Sequence, residues 1–157
     1  MLNLNLFQLI ISQDSGQVCT ASSRVYVQRS AAGALKRLLV SRFESLKLGS
    51  PTSTDTDLGP QADATQAKSI ASFLEVGKKE GTVLTGGEQS DVGANYIKPT
   101  IFAGIQDDSR INVEEVFGPV LVLHEFDTEE EVVARANDTE CKSQTFIACS
   151  LEANEDS

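Results

Sequence analysis

An α/β fold follows from this sequence on three observations. Short runs rich in β-branched and aromatic residues alternate with segments whose apolar residues recur at steps of three and four. Clusters of Gly, Pro, Asp, Ser and Thr, the turn formers, separate them. The longest β-branched and apolar run, Gly118 to Phe126, has the character of a strand buried on both faces of a sheet. A chain of 157 residues is enough for one domain with a substantial core.

Taken in order, Arg24-Val-Tyr-Val-Gln28 predicts the first strand. Ser30 stands where an N-cap belongs, ahead of a helix to about Leu46 whose Leu35, Leu38, Leu39, Phe43 and Leu46 share one face. Gly49 to Pro60 is a loop. A second helix starts at about Asp63, carries Ile70, Phe73, Leu74 and Gly77 on one side, and ends at Gly81. Thr82 to Thr85 and Tyr96 to Phe102 are strands, and Pro99, which lacks an N–H, demotes the second to an edge or irregular strand. After the Gly118–Phe126 strand, Asp127 as N-cap and Glu130 at the third helical position open a helix to about Asn137.

The net charge of −10 is unevenly spread. Residues 1–50 hold six Lys/Arg against Asp14 and Glu44, or +4, while residues 51–157 hold seven against 21 acids, or −14. Such a chain repels nucleic acid and anionic lipid, so neither is an expected partner. The basic residues Arg24, Arg29, Lys36, Arg37 and Arg42 form a solvated helix face, the alternatives being contact with an anionic cofactor or an acidic neighbouring segment. No apolar run approaches the ~18 residues that cross a bilayer. The run from Leu6 to Ile11 is broken by Gln8 and has no basic segment before it, unlike a secretory signal. Three cysteines make no disulfide framework, and a reducing cytoplasmic location is expected.

Local chemistry singles out three places. Cys19, in Gly16-Gln-Val-Cys-Thr-Ala-Ser-Ser-Arg24, lies among small residues just before a strand, as on an exposed turn or short-helix start. Free N–H groups there favour a thiolate, the alternative being a buried structural thiol. Glu114 and Glu115 precede Phe117-Gly-Pro119. Adjacent carboxylates point to different sides of any regular element, which argues against a shared-proton pair, but one of them can accept hydrogen bonds from sugar hydroxyls; the alternative is two solvated glutamates at a short helix. Cys141 and Cys149 fit no common metal spacing, so no metal site is expected. His124, the one histidine, reads as a strand-end residue rather than a general base.

Together these motifs resemble the aldehyde dehydrogenase superfamily. The Gly16–Arg24 segment is similar to its active-site cysteine signature. Leu58-Gly-Pro-Gln61, Lys78-Lys-Glu-Gly81 with Gly86-Gly87, Pro99-Thr-Ile-Phe102, Glu114-Glu-Val-Phe-Gly-Pro-Val120 and Ala134-Arg-Ala-Asn-Asp138 follow in the family's order. The resemblance covers about residues 16–140, which gives a partial catalytic domain between a divergent segment 1–15 and a divergent tail 141–157. It implies oxidation of an aldehyde to a carboxylic acid with NAD or NADP through a cysteine thioester. Cys19 would be the nucleophile. Glu115 would bind the nicotinamide ribose, Phe117 would pack near the nicotinamide, and Gln66 would approach the cofactor.

The sequence also departs from the family. Asp14 stands where an asparagine is frequent, and Cys141 to Ser150 leaves the family pattern. No glutamate precedes Cys19, although the family's general base lies upstream in a Glu-x-Gly-Gly context. A Rossmann-like cofactor domain is therefore expected to be lacking, and a truncated form with little dehydrogenase activity but some thiol esterase activity is expected. The competing expectation is a non-catalytic pseudoenzyme fragment or interaction module, pairing with itself or with a full-length relative.

Overall fold

The computed structural model describes residues 14–19 and 21–138, together with the backbone of 147–149. Its strands are β1 (Arg24–Gln28), β2 (Thr82–Thr85), β3 (Thr100–Ala103), β4 (Val120–Phe126) and β5 (Ile147–Cys149). Its helices are α1 (Arg29–Glu44), α2 (Ala64–Glu80), the single turn α3 (Arg110–Val113) and α4 (Glu129–Asn137). The five strands form one mixed sheet in the order β2-β3-β4-β1-β5. β1 runs parallel to both β4 and β5, and β3 parallel to β4, whereas β2 is antiparallel to β3. The alternating pattern thus folds as the α/β layers it implies.

Strand parity assigns the two faces. Val25 and Val27 of β1, Ile101 of β3, and Leu121 and Leu123 of β4 pack against Ala31, Ala32, Leu35, Leu39 and Phe43 of α1. Phe102, Val120 and Val122 point the other way, onto Ile70, Phe73 and Leu74 of α2. Farther along that second face, Tyr26 and Phe126 meet Val132 of α4. β4 therefore serves both layers, as its uninterrupted apolar run requires; burying each such large side chain stabilises by ~1.5–3 kcal/mol. The paired register sets Arg24 opposite Val122 and Gln28 opposite Phe126.

Several expectations need correction. α1 is capped by Gln28, not Ser30, and without a side-chain hydrogen bond, because β1 passes directly into the helix and leaves no residue for a separate cap. It ends at Glu44 rather than about Leu46, and Leu38 is 40% exposed while Ala31 and Ala32 complete the buried face. β3 is shorter than the expected Tyr96–Phe102 strand and lies inside the sheet, with all four residues buried. Pro99 falls one residue before it, where its missing N–H costs no ladder bond, and Ile97 makes only an isolated bridge to Gln89. The described antiparallel edge belongs instead to β2, whose Thr82 and Val83 are exposed.

At α4 the cap shifts by one residue. Thr128, not Asp127, accepts the N–H of the third helical residue, which is Glu131, not Glu130; Glu131 Oε2 in turn accepts the Asp127 N–H at 2.9 Å. The Asp127 carboxylate is held elsewhere, by Arg29 Nε and Nη2 at 2.8 and 3.0 Å. Lys36 joins the same cluster through Glu125 at 2.5 Å. Of the basic residues, Arg29 and Lys36 thus meet an acidic neighbouring segment, and Arg24 is buried rather than solvated. By contrast α2 begins as expected, with Asp63 accepting the Gln66 N–H at 2.8 Å, and Gly81 follows its last turn.

Candidate functional site

Two turns meet at the amino ends of β1 and β4. The first begins at Asp14, Ser15 and Gly16, all three with positive φ (49°, 57° and 77°). It continues to a reverse turn in which the Ala21 N–H donates to the Val18 carbonyl at 2.8 Å. Cys19 lies inside that turn and is exposed, so the turn alternative of the local reading holds and the buried-thiol alternative does not. The second turn is Val116-Phe117-Gly118-Pro119, in which Phe117 has φ 53°. Gly16 is where they touch: a Cβ there would stand 2.2 Å from the Gly118 carbonyl oxygen, so only glycine permits the approach.

Between the turns is a cleft. Gly16, Val18, Ala21, Ser22 and Ser23 line one side, and Glu115, Phe117, Gly118 and Val120 the other. Glu115 presents an exposed carboxylate there, while Glu114 is drawn away by Arg110, whose Nε lies 3.0 Å from Glu114 Oε2. The adjacent carboxylates diverge, as expected. Phe117 is half-buried. Gln66, on the first turn of α2, donates from Nε2 to the carbonyls of Phe117 at 2.8 Å and Val116 at 3.3 Å. Its side-chain nitrogen therefore supports the second turn from below.

Further contributors were given no role by the sequence, although one of them, Gln17, lies within the Gly16–Arg24 segment. Ser15 Oγ donates to the Gly59 carbonyl at 2.9 Å, and Gln17 Oε1 accepts the Ala62 N–H at 2.8 Å. These bonds fix the Cys19 turn to the segment that leads into α2. Their partners are 44 and 45 residues away in the chain, beyond the reach of any periodicity or capping signal.

His124 lies outside this site. It occupies the interior of β4 rather than its end and is 3% exposed. Asn112 Oδ1 is 3.1 Å from its Nε2, and Arg135 Nη2 is 3.2 Å from its Nδ1. Since a guanidinium can only donate, the ring is the neutral tautomer with its proton on Nε2. Burial first, and the Arg135 charge second, push its pKa down to about 4. Among the described residues no cluster of His, Cys, Asp or Glu suits a metal ion, and no helix is long and apolar enough to cross a membrane. Cys141 lies outside the described residues, and of Cys149 only the backbone is described.

Residues 6–150 match the family model described as Aldehyde dehydrogenase family. Among solved structures, the chain is similar to an NAD+ complex of aldehyde dehydrogenase from Bacillus cereus, with 39% identity and a TM-score of 0.80. That match covers 85% of this chain and 27% of the other. It is also similar to 1-pyrroline-5-carboxylate dehydrogenase from Thermus with bound NAD, at 33% identity and a TM-score of 0.79, covering 85% and 26%. Betaine aldehyde dehydrogenase from Staphylococcus aureus in complex with NAD+ is similar at 35% identity and a TM-score of 0.76, covering 80% and 26%. The chain thus spans about a quarter of the length of these relatives.

Proposed function

We propose, from the premise that this chain belongs to the aldehyde dehydrogenase family, that it carries the thiol and the nicotinamide-ribose side of a site oxidising aldehydes to carboxylic acids. The observation that supports this reading is the close approach at Gly16 and Gly118, which brings the turn containing Cys19 beside the Glu115–Phe117 turn, with Gly16, Val18 and Ala21 of the first turn, though not Cys19 itself, lining the cleft between them.

Two side chains of the cleft, Glu115 and Phe117, have the chemistry to meet the ribose and nicotinamide of NAD or NADP, although the cleft itself, about 10 Å³, is too narrow to enclose either group. Glu115 offers an exposed carboxyl whose oxygens can accept hydrogen bonds from vicinal hydroxyls, and Phe117 offers a flat apolar face. The described lining includes no Lys or Arg, so the pyrophosphate would take its cations from elsewhere. What the dinucleotide supplies when bound is a hydride acceptor.

Cys19 performs the acyl chemistry. Its thiolate attacks the aldehyde carbonyl carbon, a C–S bond forms, and the carbonyl electron pair moves to oxygen. The Cys19 backbone N–H is a donor for that oxyanion. After oxidation the sulfur holds the acyl group as a thioester, and water displaces the thiolate to release the acid. Gln66 keeps the Phe117 turn in place through two carbonyls.

Thioester formation from an activated ester needs no nicotinamide, which makes it the direct test. The purified chain, mixed with p-nitrophenyl acetate, is expected to release a burst of nitrophenolate with one acetyl group on Cys19, located by peptide mass spectrometry. Cys19→Ala is expected to abolish both. A burst that survives Cys19→Ala, or acetylation confined to other residues, overturns the reading.

A further inference from the structure

We infer that Gln17 is a positioning residue for Cys19: its side-chain amide ties the Cys19 turn to the segment opening α2, whose Gln66 holds the opposing Phe117 turn. The two turns are thus located from one support. The inference rests on the reading of Cys19 as nucleophile and of Glu115 and Phe117 as its cofactor neighbours.

Both ends of the amide are used. Gln17 Oε1 accepts the Ala62 N–H at 2.8 Å, and Nε2 donates to the Asp14 carbonyl at 2.9 Å. The Ala62 N–H lies just before the Asp63 cap, where the helix ladder offers it no acceptor. Four residues later, Gln66 reaches the Phe117 carbonyl at 2.8 Å. On the far side of Gln17, Asp14 and Ser15 have φ of 49° and 57°, a left-handed backbone that persists in non-glycine residues only where surroundings enforce it. The Gln17 amide supplies part of that enforcement. Cys19 is two residues on, in the turn closed by Ala21 and Val18, so a shift of Gln17 carries the thiol with it.

Three measurements on the 157-residue chain test this. In the wild type, the Ala62 amide is expected to exchange with solvent at least about tenfold more slowly than in a free peptide, because its hydrogen bond must open first. Exchange at the free-peptide rate overturns the inference without any variant. Gln17→Met keeps length and removes both hydrogen bonds. It is expected to slow Cys19 acylation by p-nitrophenyl acetate about tenfold to a hundredfold while half-saturation moves less than about twofold. Gln17→Glu restores an acceptor for Ala62 and is expected to recover the rate to within about fivefold of wild type. A folded Gln17→Met at the wild-type rate, or Gln17→Glu as slow as Gln17→Met, overturns the inference.

The third measurement needs no acyl chemistry. A nitroxide on Cys19, with Cys141→Ser and Cys149→Ser, is expected to broaden the Glu115 and Phe117 amide signals, and Gln17→Met to reduce that broadening. Unchanged broadening overturns the positioning role. If the label moves but the wild type is never acylated, the nucleophile reading falls and the Gln17 assignment stands. If acylation occurs and Gln17→Met alters neither rate nor broadening, the reverse holds.

Discussion

His124 stacks on Tyr26, with ring centroids 5.1 Å apart and planes 22° from parallel. The stack closes a cluster in which Arg135 donates to His124 Nδ1 at 3.2 Å and to the Glu125 carbonyl at 2.9 Å. Protonating the ring would turn Nδ1 into a donor facing a guanidinium. The folded chain therefore favours neutral His124, whose pKa is near 4 against an ordinary 6.5. A lowered folded pKa on a base means that the stabilisation is complete above 6.5 and lost as pH falls toward 4. Its full size is about 3 kcal/mol. Urea unfolding between pH 4 and 7 is expected to show this loss in the wild type but not in His124→Phe, once the carboxylate background common to both is subtracted. A ring-proton titration centred near 6.5 in the folded chain contradicts it.

Arg135→Lys is expected to destabilise by about 2 kcal/mol, although it keeps the charge. Arg135 Nε and Nη2 reach both oxygens of Asp107 at 2.9 and 2.8 Å, a planar fork that an ammonium does not reproduce. The Arg135 hydrogen bond also holds the Asp107 carboxyl below its ordinary pKa, the stabilisation being present above that ordinary value and lost as pH falls below it. Carbonyl-carbon NMR of Asp107 is expected to show an upward pKa shift in Arg135→Ala.

Two helical glycines should respond oppositely to alanine. Gly33 on α1 has open space around a new Cβ, the nearest atom being Arg37 Nη1 at 3.7 Å, so Gly33→Ala is expected to stabilise by about 0.5–1 kcal/mol. At Gly77 the new Cβ would meet the Phe102 ring at 2.6–2.8 Å, closer than real Cβ contacts allow. Overpacking there is expected to cost about 1–3 kcal/mol and to reverse the propensity gain. Thermal melts of the two variants, run beside the wild type, decide it: equal signs refute the packing argument.

Gly16→Ala combines a strained φ of 77° with a collision against the Gly118 carbonyl. It is expected to cost at least about 2 kcal/mol and to reduce Cys19 acylation more than Asp63→Ala does, which loses only a helix cap worth about 1 kcal/mol. Equal burst rates in the two variants, at matched folded fractions, count against the junction as the organiser of the cleft.

How much of this was legible in the sequence depended on how local its causes are. α2 was readable at both ends because Asp63 caps with its own side chain and Gly81 follows the last turn. The start of α1 was misplaced because Gln28 caps without a side-chain bond, so Ser30 offered the only visible cue. At α4 the cap chemistry was visible but its frame was not, since Arg29, 98 residues from Asp127 in the chain, takes the carboxylate. Cys19 and Glu115 stood out through local chemistry, and the family resemblance added Phe117 and Gln66. Gln17 falls inside the quoted Gly16–Arg24 segment and Ser15 beside it, but neither was assigned a role from the sequence, because serine and glutamine side chains carry no pattern that names a distant backbone partner.

The parallel pairing of β1 with β4 has a metrical consequence. Cys19 lies five residues before Arg24, and Phe117 three before Val120, so the strand ladder rules the distance between motifs almost a hundred residues apart. A ladder can change only in whole residues, each about 3.3 Å long, and an odd step would turn Val25 and Val27 away from α1. The nearest alternative that keeps both faces buried would offset the turns by about 6.6 Å, enough to break the contact between Gly16 and Gly118. Spacing between the Cys19 turn and the Phe117 turn is thus graduated like a vernier with a single usable mark.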